Sequence, residues 1–293
     1  MIRTTLLVAA LGSLPVAPTP LEAQTARERL IVSIDWLAQH YRDPGVVLLH
    51  VGPEEDYAKE HIPGARYLSH RHPQSPDGLI LELQPPAVVE HHLRELGISN
   101  DSRVVVYRSS EWISPSTRVL FELDWAGVDA VFLDGGLDAW KSAGHPVTAD
   151  APPVAPGSFT IRPKSDLVVT ADWVQQHAVG KPGYQLVDGR ARAFYDGVRD
   201  DRGKAGHIAG AGSIPWVELF EENGRLKSAE ALRALFTAAG VEPGETVVAY
   251  CHIGQFATAV ILAARTLGHE VRLYDGAMQD WARRDLPVTA SAN

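Results

Sequence analysis

Apolar residues along this chain gather in short unbroken runs bounded by turn residues. Thr246–Tyr250 and Glu270–Tyr274 are each the length of a strand. Between them, Phe256–Leu267 carries Ala, Val, Ile and Leu at helical spacing and stops at Gly268, a C-cap signal. Strand, helix and strand in that order imply a right-handed crossover, and so a parallel sheet with helices on both faces. The expected class is α/β.

The pattern occurs twice. Val104-Val105-Val106-Tyr107 answers Val247-Val248-Ala249-Tyr250, and Leu48-Leu49-His50-Val51-Gly52 answers Leu186-Val187-Asp188-Gly189-Arg190. His61-Ile62-Pro63-Gly64-Ala65 matches His207-Ile208-Ala209-Gly210-Ala211. The block Val131–Trp140 matches Val271–Trp281, and each copy closes on Pro-Val-Thr, at Pro146 and at Pro287. Matched blocks in one order, with a repeat too long for a solenoid unit, mean two domains. The Pro-rich stretch 149–158 reads as their linker, which sets the domains at 27–148 and 159–290.

Composition narrows the chemistry. The 293 residues are 45% hydrophobic and 22% charged, the balance of a globular protein, with a net charge of −9. No Lys/Arg-rich block offers a nucleic-acid footprint. Residues 1–23 read as a secretory signal: Arg3, then an apolar run from Leu6 to Leu11, then Ala23 before a cleavage point, with Ala26 as an alternative. Export to the periplasm or medium is the expectation. No second apolar run approaches the ~18 residues of a membrane span.

Cys251 is the only cysteine. It stands where a strand ends and a helix is about to begin, the edge at which parallel sheets bind ligands. A short loop containing Gly254 can turn its N–H groups inward as an anion nest, and the next helix adds its positive end. Both favour thiolate, so the expectation is a nucleophile ionised near neutral pH. The other copy is an internal control, because Arg108 takes the place of Cys251 and the loop after it is two residues longer. Its work is read as structural, with one wall of an interdomain cleft as a further role.

These motifs resemble the tandem-domain rhodanese family of thiosulfate and 3-mercaptopyruvate sulfurtransferases, from about Ile31 to Thr289. The resemblance rests on the two His-Ile-x-Gly-Ala blocks, Asp188-Gly189-Arg190, the Cys-His-Ile-Gly-Gln loop, and Tyr274-Asp275-Gly276 with Trp281. It implies two rhodanese-like domains, each a parallel sheet flanked by helices. It implies a Cys251 persulfide, loaded by a small sulfur donor and discharged to cyanide, a thiol or a protein acceptor, with no metal or organic cofactor; the composition and the lack of a second apolar run add the expectation of no nucleic-acid or membrane partner. His252, Ile253, Gly254, Gln255, Phe256 and Ala257 would cradle the persulfide. Arg190 would pair the donor's anionic group as a guanidinium fork, with Asp188 in support. Arg192 and Arg199 lie nearby. The thiosulfate enzymes commonly carry basic residues after the cysteine, where this chain has His252 and Ile253, so the preferred donor is open between thiosulfate and 3-mercaptopyruvate.

Blander readings apply elsewhere. His61 and His207, like Trp140 and Trp281, recur in both copies and are read as structural. His70, His72, His91 and His92 lack a ligand set in order, so no metal is expected. A phosphatase with this loop logic needs Cys-x5-Arg, and the loop here reaches Ala257 without that arginine. A persulfide relay that does not turn over small donors is the remaining alternative.

Overall fold

A computed structural model describes residues 20–69, 78–109 and 112–291. The first copy builds a five-stranded sheet from β1 (Ile31–Val32), β2 (Val46–Val51), β3 (Arg66–Leu68), β4 (Arg103–Arg108) and β5 (Asp129–Leu133). The second builds another from β6 (Val168–Val169), β7 (Tyr184–Asp188), β10 (Gly212–Ser213), β11 (Thr246–Tyr250) and β12 (Val271–Tyr274), with β8 (Asp200–Asp201) and β9 (Lys204–Ala205) as a separate hairpin. The orders are β1-β5-β4-β2-β3 and β6-β12-β11-β7-β10, the same topology strand for strand, and every pairing inside the two sheets is parallel. The expected α/β class and the duplication both hold. Val247 to Tyr250 are fully buried, because a strand covered by helices on both faces has no wet side.

Matched residues do matched work. Ser33 caps the helix Ile34–His40 through Trp36 N, and Thr170 caps Ala171–His177 through Trp173 N. His61 Nδ1 bonds Tyr57 O at 2.7 Å, and His207 Nδ1 bonds Tyr195 O at 2.8 Å, each imidazole stacked on the tyrosine's ring. Trp140 and Trp281 each donate Nε1–H to the carbonyl of the closing Pro-Val-Thr proline. These pairs fix turns in both halves whether or not a cysteine is present.

The two copies share a core. Helix Ser114–Ala126 of the first lies against helix Ala257–Thr266 of the second, and Val119, Leu120 and Leu123 join Val260, Ile261 and Ala264 in one buried cluster. Polar ties cross at the same place: Thr117 Oγ1 and Thr258 Oγ1 are 2.9 Å apart, and Gln255 Nε2 donates to Ser114 Oγ at 2.9 Å. Asp134 accepts from Leu226 N of the second copy, and its counterpart Asp275 accepts from Leu83 N of the first. Residues 149–158 carry no helix or strand, but the end of this stretch and the chain after it are stitched to the first copy: Gly157 N to Arg94 O, Arg162 N to Ala126 O and Lys164 N to Trp125 O. The expected leader lies outside the described residues as far as residue 19, as do His70 and His72. Helix Pro20–Leu30 follows, and its Arg27 bonds Leu226 O and Lys227 O.

Candidate active site

Cys251 follows β11, which lies between β7 and β12, so its sulfur sits at the middle of the sheet's C-terminal edge. The thiol is 0% exposed. Backbone N–H groups of Ala257, Ile253 and Phe256 point at it. The turn that aims them needs Gly254, at φ +83°, where a Cβ would fall 2.7 Å from Asp275 Oδ1. Helix Ala277–Arg283 holds the loop from below, with Met278 N on Cys251 O at 3.0 Å and Gln279 N on His252 O at 3.1 Å.

The amide nest expected from sequence is present, yet its electrostatic consequence differs. Burial pushes the Cys251 thiol above its ordinary range, and the three amides only partly offset this, with Asp188 adding to the rise. Expecting a resting thiolate near neutral pH is therefore wrong. Complete desolvation of the sulfur costs the anion more than three partial positive charges return.

Arg190 also departs from expectation. It is 0% exposed and hydrogen-bonded through all three nitrogens: Nε to both Asp188 oxygens at 3.0 and 3.1 Å, Nη2 to Asp188 Oδ2 and Gly206 O at 2.7 Å each, and Nη1 to Asp201 Oδ2 at 3.4 Å. A guanidinium so enclosed positions the site from behind and does not present a fork to a donor's anionic group. Asp188 orients it, as foreseen. Arg192 and Arg199 are exposed, and Arg199 lies over the Phe194 ring at 4.8 Å. Within the loop, Gln255 turns away from the sulfur to Ser114 of the first copy, so its side chain locks the interface and does not line the cradle. His252, Ile253 and Phe256 are partly exposed.

Several neighbours were not foreseen. Asp201 accepts from His252 Nδ1 at 2.5 Å. Phe194 and Phe256 meet the His252 ring edge-to-face, and Trp216 stacks on Phe256 with centroids 5.5 Å apart. From the first copy, Arg118 bonds Asp275 Oδ1 at 2.5 Å and Gly254 O at 3.4 Å. One signal for Asp201 was legible: Asp188 to His207 is eight residues longer than the matched His50 to His61, and that insertion includes the β8–β9 hairpin. Nothing in the sequence pointed to Arg118.

The register makes the first copy a control. His50 pairs with Tyr107 as Asp188 pairs with Tyr250, so His50 and Gly52 stand where the second copy has Asp188 and Arg190. A Cβ on Gly52 would collide with Ser109 Oγ, so the space Arg190 fills is closed there. Arg108, at the cysteine's position, is buried and bonds Asp138 Oδ2 at 3.2 Å and Asn223 O of the second copy at 3.2 Å. A cleft of about 610 Å³ opens between the copies, with Arg108, Ile113 and Asp138 on one wall and Trp216, Glu222 and Arg225 on the other. It touches the cysteine loop's surroundings through Trp216, and Cys251 itself does not line it.

Comparison with known proteins agrees with this duplication. The rhodanese-like domain model matches residues 33–143 and again 170–284. The chain is 31% identical to the thiosulfate sulfurtransferase of Rattus norvegicus over 284 residues, covering 89% of this chain and 94% of the relative. It is 32% identical to the 3-mercaptopyruvate sulfurtransferase of Escherichia coli strain K12 over 276 residues, covering 88% and 96%. The crystal structure of SseA from Escherichia coli, described as a 3-mercaptopyruvate sulfotransferase, superposes with a TM-score of 0.76 at 30% identity, covering 84% of this chain and 98% of that one.

Proposed function

Since the chain belongs to the rhodanese family and is a sulfurtransferase, we propose that Cys251 takes a sulfane sulfur from thiosulfate or 3-mercaptopyruvate and passes it as a persulfide to cyanide or a thiol. The observation that carries this reading is the ring of three backbone N–H groups around the one thiol, present in one copy and replaced by Arg108 in the other.

In the first half-reaction Cys251 gives up its proton to solvent and attacks the donor's outer sulfur as thiolate, and the donor's own S–S or C–S bond breaks with its electrons leaving on the remainder, which can take up a proton in turn. In the second, the acceptor attacks the outer sulfur of the persulfide and Cys251 departs as thiolate. Charge on sulfur appears in both steps, and preorganised N–H groups stabilise it without reorganising at the moment of reaction. A persulfide is a stronger acid than the thiol it comes from. The nest is therefore better matched to the loaded enzyme than to the empty one, where burial holds the proton on Cys251. With no second cysteine in the chain, no internal thiol can discharge the persulfide, so it waits for an external acceptor.

The test is intact mass after donor treatment, followed by thiocyanate production with cyanide. Expected are a gain of one sulfur atom on Cys251 and many turnovers. No mass gain overturns the proposal, and loading that stops at one equivalent of product identifies a carrier. The ratio of kcat/KM for the two donors sets the physiological class. We also propose that the protein is exported, on the strength of the leader-like pattern in residues 1–23; amino-terminal sequencing of the mature protein after expression in its host tests this.

A further inference from the structure

Cys251 is fully enclosed, so a reagent reaches its sulfur only where the cover beside it gives way. The duplication shows which cover that is. Segment 78–83 of the first copy lies against the second copy as 221–226 of the second lies against the first. Leu83 N donates to Asp275 Oδ2 at 2.8 Å, and Leu226 N to the matched Asp134 Oδ1 at 2.9 Å. Leu81 and Gly224 make the same left-handed turn in the two segments, at φ +59° and +75°. This register matches Ile80 with Asn223, and the blocks ending at Trp140 and Trp281 match Asp138 with Gln279.

The tie on the matched carbonyl differs between the copies. In the first, the residue at the cysteine's position makes it: Arg108 Nη2 bonds Asn223 O at 3.2 Å, while Nη1 bonds Asp138. A cysteine is too short to reach that far. In the second copy the tie passes to Gln279, whose Nε2 donates to Ile80 O at 2.8 Å and whose Oε1 accepts from Ile80 N at 3.0 Å. A primary amide offers a donor and an acceptor side by side, which suits the backbone of one residue. Gln279 N also donates to His252 O at 3.1 Å, so a single residue grips both the segment and the cysteine loop. The openings match as well. The cleft that reaches Arg108 is lined by Asp138, Ser142, Glu221 and Asn223, and the matched Gln279, Arg283, Gly78 and Ile80 line one of about 320 Å³ on the cysteine side.

We propose that Gln279 is a positioning residue that sets the size of the acceptor: its amide clamp on Ile80 holds segment 78–83 as the wall of the entry to Cys251, which admits cyanide and small thiols and excludes bulky ones. The inference rests on the sulfurtransferase reading above and deepens it by naming the acceptor class. The narrower opening leads to Cys251 as its counterpart leads to Arg108. The wall's inner ties are charge-assisted, Leu83 N on Asp275 and Arg118 Nη2 on Leu81 O. Its outer tie is the neutral Gln279–Ile80 pair, of ordinary strength, so the wall yields there first.

The experiment compares Gln279→Ala and Gln279→Glu with the unsubstituted protein. Cys251, the only cysteine, is alkylated by iodoacetamide and by the bulky, uncharged N-pyrenylmaleimide, and intact mass gives the two rates. Both reagents need the thiolate, so their ratio cancels any change in its ionisation. After loading with thiosulfate, kcat/KM is measured for cyanide and for reduced glutathione. The pyrenyl-to-iodoacetamide ratio and the glutathione-to-cyanide ratio are each expected to rise roughly fivefold or more in both variants. Glutamate keeps the side chain's volume and accepts from Ile80 N, but it cannot donate to Ile80 O. A glutamine that merely fills space would leave the Glu variant at the unsubstituted ratios. Ratios that do not rise in either folded variant overturn the inference, and melting temperatures establish which variants are folded. In the unsubstituted protein the pyrenyl reagent must trail iodoacetamide by more than it does on free cysteine; parity overturns the inference with no variant needed. An unsubstituted protein that moves no sulfur overturns the parent reading, while the alkylation ratios still decide whether Gln279 holds the wall.

Discussion

Arg118 Nη1, on a helix of the copy without a cysteine, lies 2.5 Å from Asp275 Oδ1 in the copy that has one. The same guanidinium bonds Leu81 O at 2.5 Å, Glu122 Oε1 at 2.9 Å and Gly254 O at 3.4 Å. One buried side chain thus ties the first copy's 78–83 segment to the carbonyl of the glycine on which the cysteine loop turns. Asp275 is itself held by Leu83 N. The copy that lacks the nucleophile is therefore part of its support.

Replacing Arg118 by Met is expected to leave Asp275 buried without its cation, costing about 3–5 kcal/mol in urea unfolding. Sulfur transfer by the folded fraction should fall mainly in kcat, since the loop that aims the amides loses an anchor. Unchanged stability and kcat would show that the interdomain ion pair does nothing for the site.

Arg190→Ala is expected to remove the partner of a fully buried Asp188 and to destabilise by a comparable amount, about 3–5 kcal/mol. Arg190→Lys should not rescue it, because a point charge cannot replace a fork bonded to both Asp188 oxygens. A variant of normal stability with only a raised donor KM would contradict the enclosed geometry and restore Arg190 as the anion's partner.

Cys251→Ser is expected to abolish sulfur loading with the melting temperature little changed, as a buried thiol gives way to a slightly smaller hydroxyl. In the unsubstituted protein, burial raises the thiol's ionisation. Iodoacetamide alkylation should therefore still be climbing above the ~8.5 of an ordinary thiol. Alkylation that levels off near neutrality would mean the amide nest outweighs desolvation.

His50, the first copy's counterpart of Asp188, predicts an acid sensitivity unrelated to catalysis. Burial, with the charge of His61 adding to it, pushes its imidazole down to about 4. Between its ordinary ~6.5 and that value the unfolded chain binds a proton that the folded one refuses, so stability falls as pH drops through this window. The loss should reach about 2 kcal/mol by pH 5. His50→Asn should remove that part of the slope, which urea midpoints at pH 7 and pH 5 would reveal. Parallel slopes for the two proteins would contradict it.

Much of this protein is decided locally, and local decisions are legible. Strand-length apolar runs, the helix ending at Gly268, the doubled His-Ile-x-Gly-Ala block and a cysteine at a strand's end each follow from a few neighbouring residues, and each is where the reading put it. The family match over 33–143 and 170–284 follows the same repeat. What depended on distant partners was not legible. Whether Arg190 faces a donor or is enclosed turns on Asp201 and Gly206, and where Gln255 points turns on Ser114, 141 positions away. The sulfur's ionisation was misjudged for the same reason. Three amides can be counted from a loop, but the water excluded from Cys251 is set by everything packed around it, and desolvation is a property of the whole fold.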